Sequence, residues 1–265
     1  MMISQSKFDA LLEVLERLAV DAGHEIMTVR AAGCTARMKQ DQSPVTVADE
    51  RAESIILAGL AANFPHIPVV AEEAIAAGHI PADLAGKFFL VDALDGTREF
   101  VNGREDFTVN IALVEQGIPV AGVVYGPVHK RLYCGAGDNA YMADVVDGKI
   151  GERHKLQISE ADGLPRVVAS RSHMTQETEN YLAKMPGCKT VSVGSSLKFC
   201  LLANGEADLY PRFGRTMEWD TAAGDAVLRA AGGMTSTLDG KPLVYGKRNQ
   251  SHDADFANPH FIAKV

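Results

Sequence analysis

The sequence is poor in cysteine, in positive charge and in long apolar runs, and each shortage excludes something. Its four cysteines, Cys34, Cys134, Cys188 and Cys200, are scattered over 265 residues without CxxC spacing, which argues against a disulfide framework or a thiolate zinc site. No stretch approaches the roughly 18 apolar residues that a membrane span requires. The opening MMISQSKFDALLEVLERL carries Asp9, Glu13 and Glu16 where a signal peptide would be basic and then uniformly apolar. Lys and Arg total 26 against 34 Asp and Glu, a formal charge of -8, so broad binding along a nucleic-acid polymer is disfavoured, while a local basic pocket stays open. No GxGxxG follows a first strand and helix, which removes a Rossmann-type nucleotide binder. Repeats and low-complexity tracts are also missing. The expectation is a cytoplasmic, reduced protein, with peripheral attachment to the inner membrane left open.

What is present is ample apolar material, 46% of the chain, enough for a large core without staples. Phe8, Leu11, Leu12, Leu15, Leu18 and Ala22 recur at helical spacing and predict an amphipathic first helix. A second helix is expected after Thr46, using Ala48, Ala52, Ile55, Ile56 and Leu60, and ending before Pro65. Short apolar runs at 67–71 and 88–94 read as strands that end in acids, and 107–146 reads as an antiparallel meander. The polar segment 147–165 is taken as a boundary. Beyond it strands and helices alternate, with helices expected at 175–185, from Ser195 and from Asp220. Two domains follow: an N-terminal α+β unit, 1–150, and a C-terminal α/β unit, 151–265.

The chemistry-bearing residues are acids at strand ends: Asp49 in PVTVADERAE, Glu72 and Glu73 in VVAEEA, Asp92 and Asp95 in LVDALDGT, and Asp220 in MEWDTAAG. Singly, each reads as a helix cap or a solvated acid. Together they would repel: two unit charges about 4 Å apart cost roughly 4 kcal/mol at an effective dielectric of 20. Protonation is one remedy and a hard divalent cation the other, since Mg²⁺ prefers oxygen ligands. In Asp92-Ala93-Leu94-Asp95-Gly96-Thr97 both aspartates can face one site across a tight turn, with the Leu94 carbonyl as a third oxygen. Gly96 permits close backbone approach, its N–H and that of Thr97 suit a phosphate, and the Thr97 hydroxyl can orient water. Gly194-Ser195-Ser196 precedes an apolar helical run and could hold an anion, while Lys198 and Arg212 could neutralise a second phosphate. His129 and His173 have no evident partner spacing and read as surface or hydrogen-bonded residues, Tyr210, Phe213 and Trp219 could stack on a base but read as core, and Asp253 and Asp255 read as solvated.

The segments 92–100, DALDGTREF, and 219–224, WDTAAG, with Glu72-Glu73 and Asp49 in the same order, resemble the signatures of the lithium-sensitive, magnesium-dependent phosphomonoesterases of the inositol monophosphatase superfamily. GTREF (96–100), FTVNIAL (107–113), GSSLKFC (194–200) and LYPRF (209–213) are similar to its 3'(2'),5'-bisphosphate nucleotidase branch, the CysQ type. Ala93 departs from the usual proline, which bears on the stiffness of the turn. The resemblance implies a layered αβαβα sugar-phosphatase fold, with an antiparallel sheet in the first half and a smaller mixed sheet in the second.

It also implies that Glu72, Asp92, the Leu94 carbonyl, Asp95 and Asp220 hold two or three Mg²⁺ ions, and that Asp49, Thr97 and Glu72 orient and deprotonate the attacking water. Gly96, Thr97, Asp220, Ser195, Lys198 and Arg212 would bind a nucleotide bisphosphate. The reaction implied is loss of the 3'-phosphate of adenosine 3',5'-bisphosphate to give AMP, by a monomer or homodimer. Two alternatives stay open. One is an inositol or other sugar-phosphate phosphatase, indifferent to Lys198 and Arg212; the other is a non-enzymatic interaction protein of the same fold.

Overall fold

The computed structural model describes residues 5–39, 43–159, 163–171 and 174–265. The first half runs α1 (Gln5–Ala32), β1 (Arg37–Met38), β2 (Pro44–Val45), α2 (Val47–Asn63), β3 (Val69–Ala71), α3 (Glu72–Ala76), β4 (Lys87–Asp95), α4 (Thr97–Val101), β5 (Thr108–Glu115), β6 (Ile118–Gly126), β7 (Arg131–Ala136), β8 (Asn139–Val146), β9 (Lys149–Ile150) and β10 (His154–Lys155). The second continues β11 (Arg166–Ser170), α5 (Gln176–Leu182), β12 (Lys189–Val193), α6 (Leu197–Ala203), β13 (Leu209–Arg212), α7 (Ala222–Ala230), β14 (Met234–Thr237) and β15 (Phe261–Lys264). His173 lies outside the described residues.

The first sheet has the order β10-β8-β7-β6-β5-β4-β3, with β9 beside β8. Its pairs are antiparallel except β3 with β4, which are parallel because α3 and the loop after it form a crossover rather than a hairpin. The second sheet, β12-β11-β13-β15-β14, mixes parallel and antiparallel pairs. Strand β5 is buried at seven of its eight positions, as expected of a strand covered on both faces.

The stripe on α1 is buried as expected, and with Ala48, Ala52, Ile56 and Leu60 of α2 it covers one face of the first sheet. Ile55 is only half-buried; the inward position beside Ala52 belongs instead to Glu53. Glu16, on the polar side of α1 by its charge, is buried too, hydrogen-bonded by Tyr141 and ion-paired with Arg153. On the opposite face lie α6 and α7, which share a second core with both sheets. Helix α7 rests almost on bare backbone: a Cβ on Gly122 of β6 would stand 2.5 Å from the Ala223 carbonyl, and one on Gly135 of β7 would stand 2.6 Å from the Val227 Cα. The layers are therefore α1/α2, first sheet, α6/α7, second sheet and α5. Among the described residues no helix is long and apolar enough to cross a membrane, and the four cysteines are free thiols.

Candidate active site

A spacing of three places two residues of a regular strand on opposite faces. Asp92 and Asp95 escape this because β4 bulges between them: Asp92 pairs with Asn110 and Asp95 with Thr108, four residues opposing three. Both then line the same cleft. Gly96 follows with φ 98°, and a Cβ there would lie 2.9 Å from the Asp106 carbonyl, so the turn requires glycine. The chain then enters α4 at Thr97. Its hydroxyl lies 2.9 Å from Asp49 Oδ1 and 3.2 Å from the Leu94 carbonyl.

Asp49 reaches this point from α2, where it also completes a capping box: its Oδ2 accepts from the Thr46 backbone N–H at 2.8 Å and the Thr46 hydroxyl at 2.7 Å. The cap and the site are thus one residue. Glu72 opens α3, whose first turn is held by Glu53 of α2: its two carboxylate oxygens accept the backbone N–H groups of Glu73 and Ala74, each at 2.8 Å. Lys39 bridges Glu72 and Glu73 at 2.6 Å each. Asp220 lies just before α7. Its Oδ2 accepts from the Met217 N–H at 2.8 Å, and its carbonyl accepts from the Ser196 hydroxyl. Behind it, buried Glu218 accepts from the backbone of Gly246 and Lys247.

Ligand oxygens of Glu72, Asp92 and Asp220 lie within 4.8 Å of one another. Asp95 lines the same cleft beside them. Burial raises the pKa of Asp92 well above the carboxylate range, reinforced by the charges of Glu72, Asp95 and Asp220. Burial raises Asp220 likewise, followed by Asp95 and Glu72, and burial also raises Glu72 and Asp49. Among the described residues Lys39 is the one basic side chain ion-paired to this group; burial lowers its pKa, but the pull of Glu72 and Glu73 outweighs burial and raises it. Four crowded carboxylates with one ammonium at the edge have an unmet need for positive charge. An all-oxygen donor set suits a hard divalent cation.

The far wall is basic. Lys198 and Arg212 are both buried and line the cleft. The Lys198 ammonium donates to the Ser195 carbonyl and sits 5.3 Å from the Tyr210 ring centre; burial pushes its pKa down to about 8. Arg212 donates to the carbonyls of Gly214 and Arg215. The Gly194-Ser195-Ser196 turn differs from the expectation of an open anion site. Its donors already serve the protein's own carboxylates: the Ser195 hydroxyl and Ser196 N–H give to Asp95 Oδ2 at 2.7 Å each, and Gly194 N–H gives to Asp106. The helix α6 also starts two residues later than expected, at Leu197.

Other readings resolve simply. Tyr210 packs edge-on against Phe199 and Phe261, and Trp219 lies on Phe256, both buried as core. Phe213 is half-buried between Tyr181 and His260. Asp253 and Asp255, expected to be merely solvated, pair with Arg215 and Arg248. His129, read as a surface or hydrogen-bonded residue, faces Asp106 at 3.5 Å.

A family model described as the inositol monophosphatase family matches residues 7–264. The chain belongs to the inositol monophosphatase family. Among its relatives is the 3'(2'),5'-bisphosphate nucleotidase CysQ of Salmonella typhimurium, 46% identical over 257 residues, covering 96% of this chain and 100% of that one. The Escherichia coli K12 protein of the same name is 42% identical at the same coverage. The crystal structure of CysQ from Bacteroides thetaiotaomicron, described as a bacterial member of the family, superposes with TM-score 0.78 at 37% identity, covering 96% and 97% of the two chains. An IMPase of Thermotoga maritima shares the fold, with TM-score 0.75 at 23% identity over 96% and 92%. Family membership implies use of a divalent metal, which the carboxylate group here suits.

The residues that sequence reasoning passed over are Lys39, Glu53 and Asp106. Glu53 was discoverable, because it stands four residues after Asp49 on α2 and so shares its face. Lys39 and Asp106 carry no comparable local signal.

Proposed function

We propose that this chain is a Mg²⁺-dependent phosphomonoesterase that removes the 3'-phosphate of adenosine 3',5'-bisphosphate, giving AMP and phosphate. The observation that carries the reading is one cleft with two chemically opposite walls: clustered oxygens of Glu72, Asp92 and Asp220 on one side, buried Lys198 and Arg212 on the other. A monophosphate needs only the first wall. A bisphosphate uses both, because Lys198 and Arg212 line the same cleft as the carboxylates.

Glu72, Asp92, the Leu94 carbonyl, Asp95 and Asp220 would hold the ions, two or three of them. When bound, Mg²⁺ supplies Lewis acidity toward the phosphoryl oxygens and makes water more acidic. The rest falls to the chain's own groups. Thr97, its hydroxyl proton turned toward Asp49, presents an oxygen lone pair that orients the attacking water, and Asp49 accepts the proton passed through that hydroxyl. Burial makes Asp49 a stronger base than a solvated carboxylate. Glu72 shares the base role. Gly96 and Thr97 offer backbone N–H groups to the transferred phosphoryl group, and Lys198 and Arg212 retain the second phosphate, with Ser195, its hydroxyl given to Asp95, shaping the turn whose carbonyl holds Lys198. In this reading residues 1–150 carry most of the metal ligands and 151–265 select the substrate, with Asp220 crossing between them. Lithium inhibition and a cytoplasmic location accompany it.

The test is a substrate panel. Protein stripped with chelator and then given Mg²⁺ should release phosphate from adenosine 3',5'-bisphosphate with kcat/KM at least about tenfold above that for inositol 1-phosphate, a difference near 1.4 kcal/mol. Equal rates on both would move the assignment to a sugar-phosphate phosphatase. No turnover of any phosphomonoester would favour an interaction protein.

A further inference from the structure

Between the metal-binding turn and the basic wall runs a short segment, Asp106-Phe107, that touches both. A Cβ placed on Gly96 would lie 2.9 Å from the Asp106 carbonyl oxygen, and a Cβ placed on Gly194 would lie 2.8 Å from that same oxygen. One backbone carbonyl is therefore wedged between two glycines, one from each wall of the cleft. The Asp106 side chain extends the connection. It is 8% exposed, and its Oδ2 accepts the Gly194 N–H at 3.2 Å and pairs with Arg171 at the end of β11. Oδ1 faces His129 at 3.5 Å.

The residue that follows Gly194 is under constraint. Ser195 has φ 55°, a left-handed conformation that a side chain resists. In that conformation its hydroxyl reaches Asp95 and Thr108, while its carbonyl receives the Lys198 ammonium. The backbone conformation across Gly194 and Ser195 thus sets where Lys198 is held relative to Asp95. Asp106 fixes the start of that turn through the Gly194 N–H. Arg171 balances its charge, so that the carboxylate anchors the turn without presenting net negative charge to an arriving phosphate.

We propose that Asp106 is a positioning residue for substrate selection: it sets the spacing between the turn that carries the retained-phosphate cation and the turn that carries the metal ligands. The two phosphates of the substrate stand a fixed distance apart, so an error in that spacing penalises a bisphosphate and leaves a monophosphate better able to adjust. Misplacement of about 1 Å can cost two orders of magnitude in rate. The inference rests on the reading that Lys198 belongs to a second phosphate site, and the experiment separates the two.

The measurement is the ratio of kcat/KM for adenosine 3',5'-bisphosphate to that for adenosine 3'-monophosphate, in wild type, Lys198→Ala, Asp106→Ala and Asp106→Asn, with Mg²⁺ affinity measured by calorimetry on each. The expected result is that Lys198→Ala and Asp106→Ala each lower the ratio about tenfold or more, chiefly through KM for the bisphosphate. Asp106→Asn, which keeps an acceptor for the Gly194 N–H, falls between Asp106→Ala and wild type. Mg²⁺ affinity should stay within about twofold throughout the Asp106 pair, a change below 0.5 kcal/mol. If Lys198→Ala lowers the ratio and Asp106→Ala does not, the positioning role is overturned while the second phosphate site stands. A loss in Asp106→Ala that is equal on both substrates and accompanied by weaker Mg²⁺ binding would also overturn it, as the mark of a general structural prop. If Lys198→Ala leaves the ratio unchanged, the second phosphate site itself fails. Should Asp106→Ala not fold, Asp106→Asn decides alone, against a wild-type ratio.

Discussion

Lys198 spends its life between two demands. A phosphate needs it charged, yet its surroundings favour the neutral amine, and burial brings the pKa down to about 8 from near 10.5. The sign follows directly. Below pH 8 the side chain is protonated and attracts the retained phosphate; above it the proton leaves and the attraction weakens, leaving Arg212 to hold that phosphate alone. The expected profile is a KM for adenosine 3',5'-bisphosphate that is flat below about pH 8 and rises several-fold above it, with no matching rise for adenosine 3'-monophosphate. Lys198→Arg should flatten the profile, because a guanidinium does not titrate there. A pH profile of KM on both substrates checks this, and parallel curves for the two would contradict it.

At the scale of elements, α2 acts as a rigid bar. Its first turn presents Asp49 to Thr97, and one turn later Glu53 holds the backbone of α3, from which Glu72 projects. Replacing Glu53 by Gln retains one acceptor and turns an amide N–H toward the other backbone donor, leaving a part-buried N–H unmet at about 1–3 kcal/mol. The expected outcome is a thermal midpoint lowered by a few degrees together with Mg²⁺ affinity weakened about tenfold, read by melting and by calorimetry. Weakened melting with unchanged Mg²⁺ affinity would confine Glu53 to stability.

Much of this arrangement was legible in the sequence because its signals are local. The α1 stripe, the start of α2 after Thr46 and the strand entering Asp92 each follow from periodicity or capping within about ten residues. What could not be read depends on contacts made over long sequence separations. Asp92 and Asp95 face one cleft only through the bulge against β5, and α7 approaches the first sheet only because Gly122 and Gly135 lack side chains. The donors of the Ser195 turn looked available because their acceptor, Asp95, stands 100 residues earlier. Glu16 on α1 is buried because Tyr141 and Arg153 meet it from more than 120 residues away.

For the molecule as a whole, the same carboxylates that define the site oppose its folding when no cation is present. Asp92, Glu72, Asp95 and Asp220 are drawn from α3, β4 and the approach to α7, so closing the fold brings like charges together. A bound ion reverses this, and anything that binds only the folded state adds stability by mass action, about 2.7 kcal/mol at one hundred times its Kd. For a chain of this size that corresponds to a rise of about 5 to 10 °C in thermal midpoint.

Thermal melting of chelator-stripped protein, with and without saturating Mg²⁺, in wild type and Asp92→Asn, therefore tests the central claim most directly. The substitution removes one carboxyl group, whose burial beside Glu72, Asp95 and Asp220 opposes folding, and one ligand at once, so the two effects carry opposite signs. Without metal, Asp92→Asn should melt above wild type; with Mg²⁺, wild type should gain the full increment and the variant most of a smaller one or none. If Mg²⁺ leaves the wild-type midpoint unchanged, or raises both proteins equally, the carboxylates do not form a metal site and the account is contradicted.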